Sequence, residues 1–248
     1  MTGNPSWELG INGNGVILAV ADSGLDADHA CFRNATAAGE IGSEGENLTD
    51  GIGEAGTGHR KVVLHNQTID SGDTPGHSDY RHGTHVAGTL SCHNVYDMRN
   101  NVLPKNGSSL AYASKIIFQD IVNDSGWVPP DVDALLVEAG LNGATLHSNS
   151  WGDATTAYTA RTGDFDAWSI EMPWSLALIA PGNNGGQLLE PANGRNVIAV
   201  GASEKSQSTD RWASSSIGPT EAGTNGIFAL AVGTSVQSAR ADGIDDSY

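Results

Sequence analysis

Four short apolar runs in this chain stop abruptly at turn-forming or polar residues: GVILAVADSG (15–24), SKIIFQDIV (114–122), WSLALIAPG (174–182) and RNVIAVGAS (195–203). Apolar runs this short read as strands buried on both faces rather than strands with one wet side. Two helical stretches lie between them, HVAGTLSCHNV (85–95) and PPDVDALLVEAGLNGA (129–144). The second has Pro130 near its start, apolar Val132, Leu135, Leu136 and Ala139 at helical spacing, and Gly140 and Gly143 near its end, which is how a helix is punctuated. Strands alternating with helices predict an α/β fold with a mainly parallel sheet flanked by helices.

The 248 residues suffice for one large domain with its own core, so a single domain over 1–248 is expected. Residues 33–80 break the alternation. They are rich in Gly and acidic residues, as in ATAAGEIGSEGENLTDGIGEAGTG (35–58), and read as a surface insertion with one short strand at KVVLH (61–65). The last residues, ARADGIDDSY, are polar and charged and show no core-forming pattern. Twelve Lys and Arg against 29 Asp and Glu give a net charge of −17. A surface this acidic repels nucleic acid and anionic lipid, so neither is an expected partner. No run approaches the ~20 apolar residues that a membrane-spanning helix needs. The N-terminus, MTGNPSWELGINGNG, lacks the basic and apolar regions of a signal peptide. Cys31 and Cys92 could pair as a disulfide or stay as two buried thiols.

In open parallel sheets functional groups gather beyond the carboxyl ends of strands, where Asp22 sits. Asp-Ser-Gly alone is also ordinary turn chemistry. HGTHVAGTL (82–90) carries more information. It puts His82 at a helix start, with Gly83 and Thr84 allowing a tight backbone turn and Ala87 and Gly88 allowing close packing. A histidine so placed can be oriented by a buried carboxylate and act as a general base. His85 lies on the same helical face, with His77 and His93 nearby, so a metallohydrolase is a competing reading. The stretch lacks the His-Glu-x-x-His arrangement of zinc enzymes, and no metal ligand is assigned.

Taken in order, AVADSGLD around Asp22, RHGTHVAGT around His82, SNSWG (148–152) and APGNNGG (180–186) resemble the subtilisin-like serine proteases. FQDIVNDSG, HSNSWG and SSIGPT (215–220) are most similar to the group containing the oxidant-resistant alkaline protease KP-43. The resemblance implies a three-layer subtilisin-like fold and an Asp-His-Ser triad that hydrolyses peptide bonds through an acyl-enzyme. It makes Asp22 the residue that orients His82, and His82 the general base. Asn183 becomes the oxyanion donor, a group whose loss costs about 10²- to 10³-fold in rate in subtilisin itself. Ser150, Trp151 and Gly152 become the edge that pairs with substrate backbone. It further implies polypeptide substrates, a secreted monomer and no required cofactor; the acidic loops are compatible with structural calcium, but no ordered ligand spacing locates it.

Ser235, in Gly233-Thr234-Ser235, occupies the place in chain order where the nucleophile belongs. The family nucleophile, however, caps a long apolar helix, and VQSARADGIDDSY follows Ser235. Unpaired charges of that density cannot be buried. The stretch NGIFALAVGTSVQSA matches a segment that precedes the catalytic serine in the similar proteases. The expectation is therefore a chain that carries the Asp and the His, ends before its serine, lacks the C-terminal part of the fold and is inactive by itself. A non-catalytic relative that binds extended peptides is the alternative.

Overall fold

The computed structural model describes residues 4–33, 55–70, 72–73, 75–94, 108–205, 210–224 and 226–242. Of the insertion expected over 33–80, residues 34–54, 71 and 74 lie outside the described residues. The chain divides into two compact units. One comprises Met1–Pro129, Asn142–Ala144 and Gln237–Tyr248, and the other Pro130–Leu141 and Thr145–Val236.

The first unit opens with a one-turn helix, α1 (Pro5–Glu8), whose start is capped by the Asn4 side chain. Its sheet is built from β1 (Ile17–Asp22), β2 (Val62–Asn66) and β3 (Lys115–Asp120). All pairings are parallel, in the order β2-β3-β1. In β1 and in β3 every residue but the first is buried, as expected for uninterrupted apolar runs with neighbours on both faces. A small antiparallel hairpin, β4 (Val122–Asn123) with β5 (Gly126–Trp127), follows β3.

Helix α2 (His82–Ser91) covers this sheet through Ala87, in a core with Val20, Leu25, Phe32, Val62, Ile116 and Phe118. Cys31 and Cys92 belong to the same core and form a disulfide with Cα atoms 4.6 Å apart. The closing segment also packs here, contrary to expectation. Ala239 and Ala241 are buried while Arg240 between them is exposed, and Ser238 Oγ donates to the His85 carbonyl at 2.8 Å. Small side chains on one face of an extended segment can be buried while the charges stay in solvent. Gly88 makes room for them: a Cβ there would lie 2.7 Å from Ala239 Cβ.

In the second unit, α3 (Val132–Leu141), β6 (Leu146–Asn149), α4 (Ala160–Glu171), β7 (Leu176–Ile179), β8 (Ile198–Ser203) and β9 (Ala229–Val232) follow one another. The strands pair parallel in the order β6-β7-β8-β9. The Asp131 carboxylate accepts from Ala134 N–H at the start of α3. α3 and α4 bury Val132, Leu136, Phe165 and Trp168 against Ala177, Ile179 and Ala199 of the strands. All four residues of β9 are exposed. The two units share one architecture, a mainly parallel α/β fold. Among the described residues no helix is long and apolar enough to cross a membrane.

Candidate active site

β1 delivers Asp22 at its carboxyl end, where the carboxylate is 4% exposed. Asp22 Oδ1 accepts from Ser23 N–H at 2.8 Å and lies 2.7 Å from His82 Nδ1. A carboxylate can only accept, so Nδ1 carries the proton, and in neutral His82 the Nε2 atom is left as the proton acceptor. Almost half of the His82 side chain is exposed (46%), which keeps it reachable. The start of α2 is pressed on the turn after Asp22. Ser23 Oγ accepts from Gly83 N–H at 2.8 Å, and a Cβ on Gly83 would lie 2.3 Å from the Gly24 carbonyl oxygen. Only glycine fits at that position.

The hydrogen bond and charge of Asp22 push the His82 pKa up to about 9, against the opposing effect of burial, and Asp79 and Asp73 add to the rise. His82 is therefore an imidazolium at neutral pH, and its base form accumulates as the pH passes about 9. Because the folded value lies above the usual 6.5, the pair stabilises the fold fully below pH 6.5 and loses this contribution as pH rises through 9. The stability difference between the parent chain and Asp22→Ala, from urea unfolding at several pH values, should thus be largest below 6.5 and shrink towards pH 9. A difference independent of pH would contradict this.

Sequence reasoning missed two acidic groups beside Asp22. Asp120 stands opposite it in the β1–β3 register. Burial, and then a hydrogen bond with Asp70, push its pKa up to about 8, so it is a protonated carboxyl at neutral pH. The other, Asp73, lies in the loop before α2. Asp120 ends an apolar run as Asp22 does, whereas nothing local in the sequence distinguishes Asp73 from an ordinary surface acid. Among the described residues no group of three or more His, Cys, Asp or Glu side chains could hold a metal ion. His77 Nδ1 accepts from Asp79 N–H at 3.2 Å, and His82 is engaged by Asp22.

The second unit carries the remaining expected residues. Asn183 follows β7 in an exposed turn. Its neighbour Asn184 has a structural task, since its Oδ1 accepts from Gly186 N–H at 2.8 Å and from Ser216 Oγ at 2.7 Å. SSIGPT braces the same turn, with Ser216 N–H bonded to the Gly182 carbonyl and Ile217 N–H to that of Gly186. Ser150, Trp151 and Gly152 directly follow β6 and belong to no helix or strand. Gly152 has φ 158°, and a Cβ on it would lie 2.0 Å from the Glu190 carbonyl oxygen. The buried Glu190 carboxylate accepts from Asp153 N–H (2.7 Å), Thr159 Oγ (2.8 Å) and Arg161 Nη2 (2.9 Å). Burial works against its charge, but these hydrogen bonds prevail and hold its pKa below the usual carboxylate range.

Ser235 belongs to this unit too. It is exposed and left-handed (φ 51°). The turn that holds it is sewn to the end of β8: Gly233 N–H bonds to the Ser203 carbonyl, Lys205 N–H to Thr234 Oγ1, and Lys205 Nζ to the Ser235 carbonyl. Residues 236–242 are not helical.

The model of the subtilase family of peptidases matches residues 13–245. The chain belongs to the subtilase family. It is 30% identical over 217 residues to the serine protease/ABC transporter B family protein tagD of Dictyostelium discoideum, covering 82% of this chain and 11% of that protein. An extracellular protease of Xanthomonas campestris is 26% identical over 210 residues, covering 80% of this chain and 34% of the relative. The subtilase chain thus spans about a tenth and a third of these two relatives. The solved prenylagaramide maturation protease PagA superposes with a TM-score of 0.64 at 20% identity, over 98% of this chain and 72% of that one. At that identity the likeness is one of fold.

Proposed function

We propose that these residues form the Asp-His part of a serine endopeptidase whose nucleophile is a serine other than Ser235, supplied from outside residues 1–248. The 2.7 Å contact of Asp22 with His82 Nδ1, joining a strand end to a helix start, carries this reading. Neutral His82 takes the hydroxyl proton of the serine on Nε2 as the serine attacks the peptide carbonyl. The oxyanion is stabilised by the Asn183 side-chain amide. The imidazolium then protonates the leaving amine, and water resolves the acyl-enzyme by the same proton path in reverse. Ser150, Trp151 and Gly152 hold the substrate backbone as an added strand. Every group in this scheme is a side chain or a backbone amide, so no cofactor takes part.

The setting of Ser235, a left-handed turn followed by the non-helical residues 236–242, supports its exclusion. Residues 1–248 alone are then inactive. The disulfide in the first core and the extracellular relative support secretion into an oxidising compartment. The phrases FQDIVNDSG and SSIGPT support a place near the KP-43-like group.

The full-length protein, assayed on a denatured polypeptide, should lose activity in His82→Ala and keep it within about twofold in Ser235→Ala, a surface change away from the chemistry. Activity that survives His82→Ala, or disappears in Ser235→Ala, would overturn the proposal.

A further inference from the structure

The start of α2 poses a problem that neither Asp22 nor His82 solves. A helix begins with N–H groups that have no partner within it, and the residue preceding His82 is Arg81, in the left-handed conformation (φ 77°) with no side-chain cap of its own. That conformation is unfavourable for any residue with a Cβ and persists only when the surroundings hold it. Two of the helix amides are met locally: His82 N–H by the Asp79 carbonyl (2.9 Å) and Gly83 N–H by Ser23 Oγ (2.8 Å).

The others converge on one buried side chain, Asp73, which is 3% exposed. Its Oδ1 accepts from Arg81 N–H at 2.8 Å and its Oδ2 from Thr84 N–H at 3.2 Å. Thr84 Oγ1 in turn accepts from Asp26 N–H at 2.9 Å. One carboxylate therefore bridges the residue just before His82 and the second residue after it. The loop that carries Asp73 is itself fixed against the turn after Asp22: a Cβ on Gly24 (φ 109°) would lie 2.6 Å from the Gly72 carbonyl oxygen and 2.8 Å from Asp73 Cα. The Asp22 turn, the 72–73 loop and the first turn of α2 are thus interlocked.

We propose that Asp73 is the positioning residue of the dyad, clamping the left-handed Arg81 and the first turn of α2 so that His82 Nδ1 meets Asp22. Asp73 does not touch the reacting atoms; it acts through the backbone on either side of His82. The role rests on the reading of Asp22–His82 as a catalytic dyad, and it assigns to one acid of the Gly-rich loop a duty that sequence spacing does not reveal.

The test is an NMR titration of the His82 imidazole in the 248-residue chain, together with the signal of the hydrogen-bonded Nδ1 proton. The carboxylates acting on His82 are Asp22, Asp79 and Asp73. In Asp73→Ala the proton affinity of His82 should fall about tenfold, one pH unit in midpoint, and the Nδ1 proton signal should broaden or vanish. Adding Arg81→Gly should restore most of that loss, because glycine adopts the left-handed conformation without strain. Should Asp73→Ala not fold, Asp73→Asn decides: it keeps an oxygen for one amide and should show a smaller fall of about threefold. A folded Asp73 variant with an unchanged His82 midpoint and Nδ1 signal would overturn the role. Asp22→Ala, titrated alongside, separates the two readings. If it leaves the midpoint near 9 the dyad itself falls, whereas a fall there with none in the Asp73 variants removes only the clamp.

Discussion

On the proposed reading, Asp22→Asn in the full-length protein is expected to lower kcat about 10⁴-fold while leaving the fold intact. Asp22 Oδ1 accepts from both Ser23 N–H and the Nδ1 proton of His82. The variant removes the negative charge that stabilises the imidazolium formed as the serine proton is taken. His82 also loses the carboxylate that pushes its pKa up to about 9, so its titration midpoint should fall towards the ordinary 6.5. Active-site titration of the folded variant against the parent measures the first effect and NMR the second. A loss below about tenfold would mean that Asp22 does not stabilise the cation.

The second large effect concerns the fold that presents this pair. Replacing Cys31 and Cys92 together by Ala is expected to destabilise the chain by about 4 kcal/mol, the loop-closure entropy released on opening a link across 61 residues. In a chain of this size that lowers the thermal midpoint by roughly 10 °C. The link is well placed to matter. Cys92 is the residue at the carboxyl end of α2, and Cys31 lies nine positions beyond Asp22, so the disulfide ties the far end of the His82 helix to the segment that leaves the Asp22 turn. Both sulfurs are buried in the first core, and reduction therefore removes a tether without exposing new apolar surface. Scanning calorimetry with and without reductant is the direct comparison. A shift under about 2 °C would show that the unfolded chain gains little freedom when the link opens.

The buried strands and the helix that carries His82 were legible because each depends on local sequence; the pairing of His82 with Asp22 was implied only by the resemblance to the family. An apolar run ended by Asp22-Ser23-Gly24 states both the strand and the point where it delivers a carboxylate. Gly83, Ala87 and Gly88 state a helix that packs closely, and they do so within seven residues of His82. The commitment of Asn184 to Gly186 and Ser216 is not readable from two adjacent Asn in a Gly-rich turn. What stayed hidden depends on chain segments that meet only after folding. Cys31 and Cys92 carry no local sign that they will pair. Asp73 is one acid among many in a Gly-rich loop, nine residues before the histidine it serves. Ala239 and Ala241 sit among charges, and their burial becomes intelligible only once Gly88 leaves a groove for them. The exposed strand β9 likewise reads as apolar sequence, yet all four of its residues face solvent.

The most direct test of the account is the identity of the nucleophile. A fluorophosphonate probe, which reacts with a serine only where a neighbouring base activates it, would be applied to the full-length protein and the modified peptide found by mass spectrometry. The account expects one labelled serine outside residues 1–248, with labelling lost in His82→Ala and Ser235 unmodified. Label on Ser235 that depends on His82 would contradict it and make the 248 residues a complete protease.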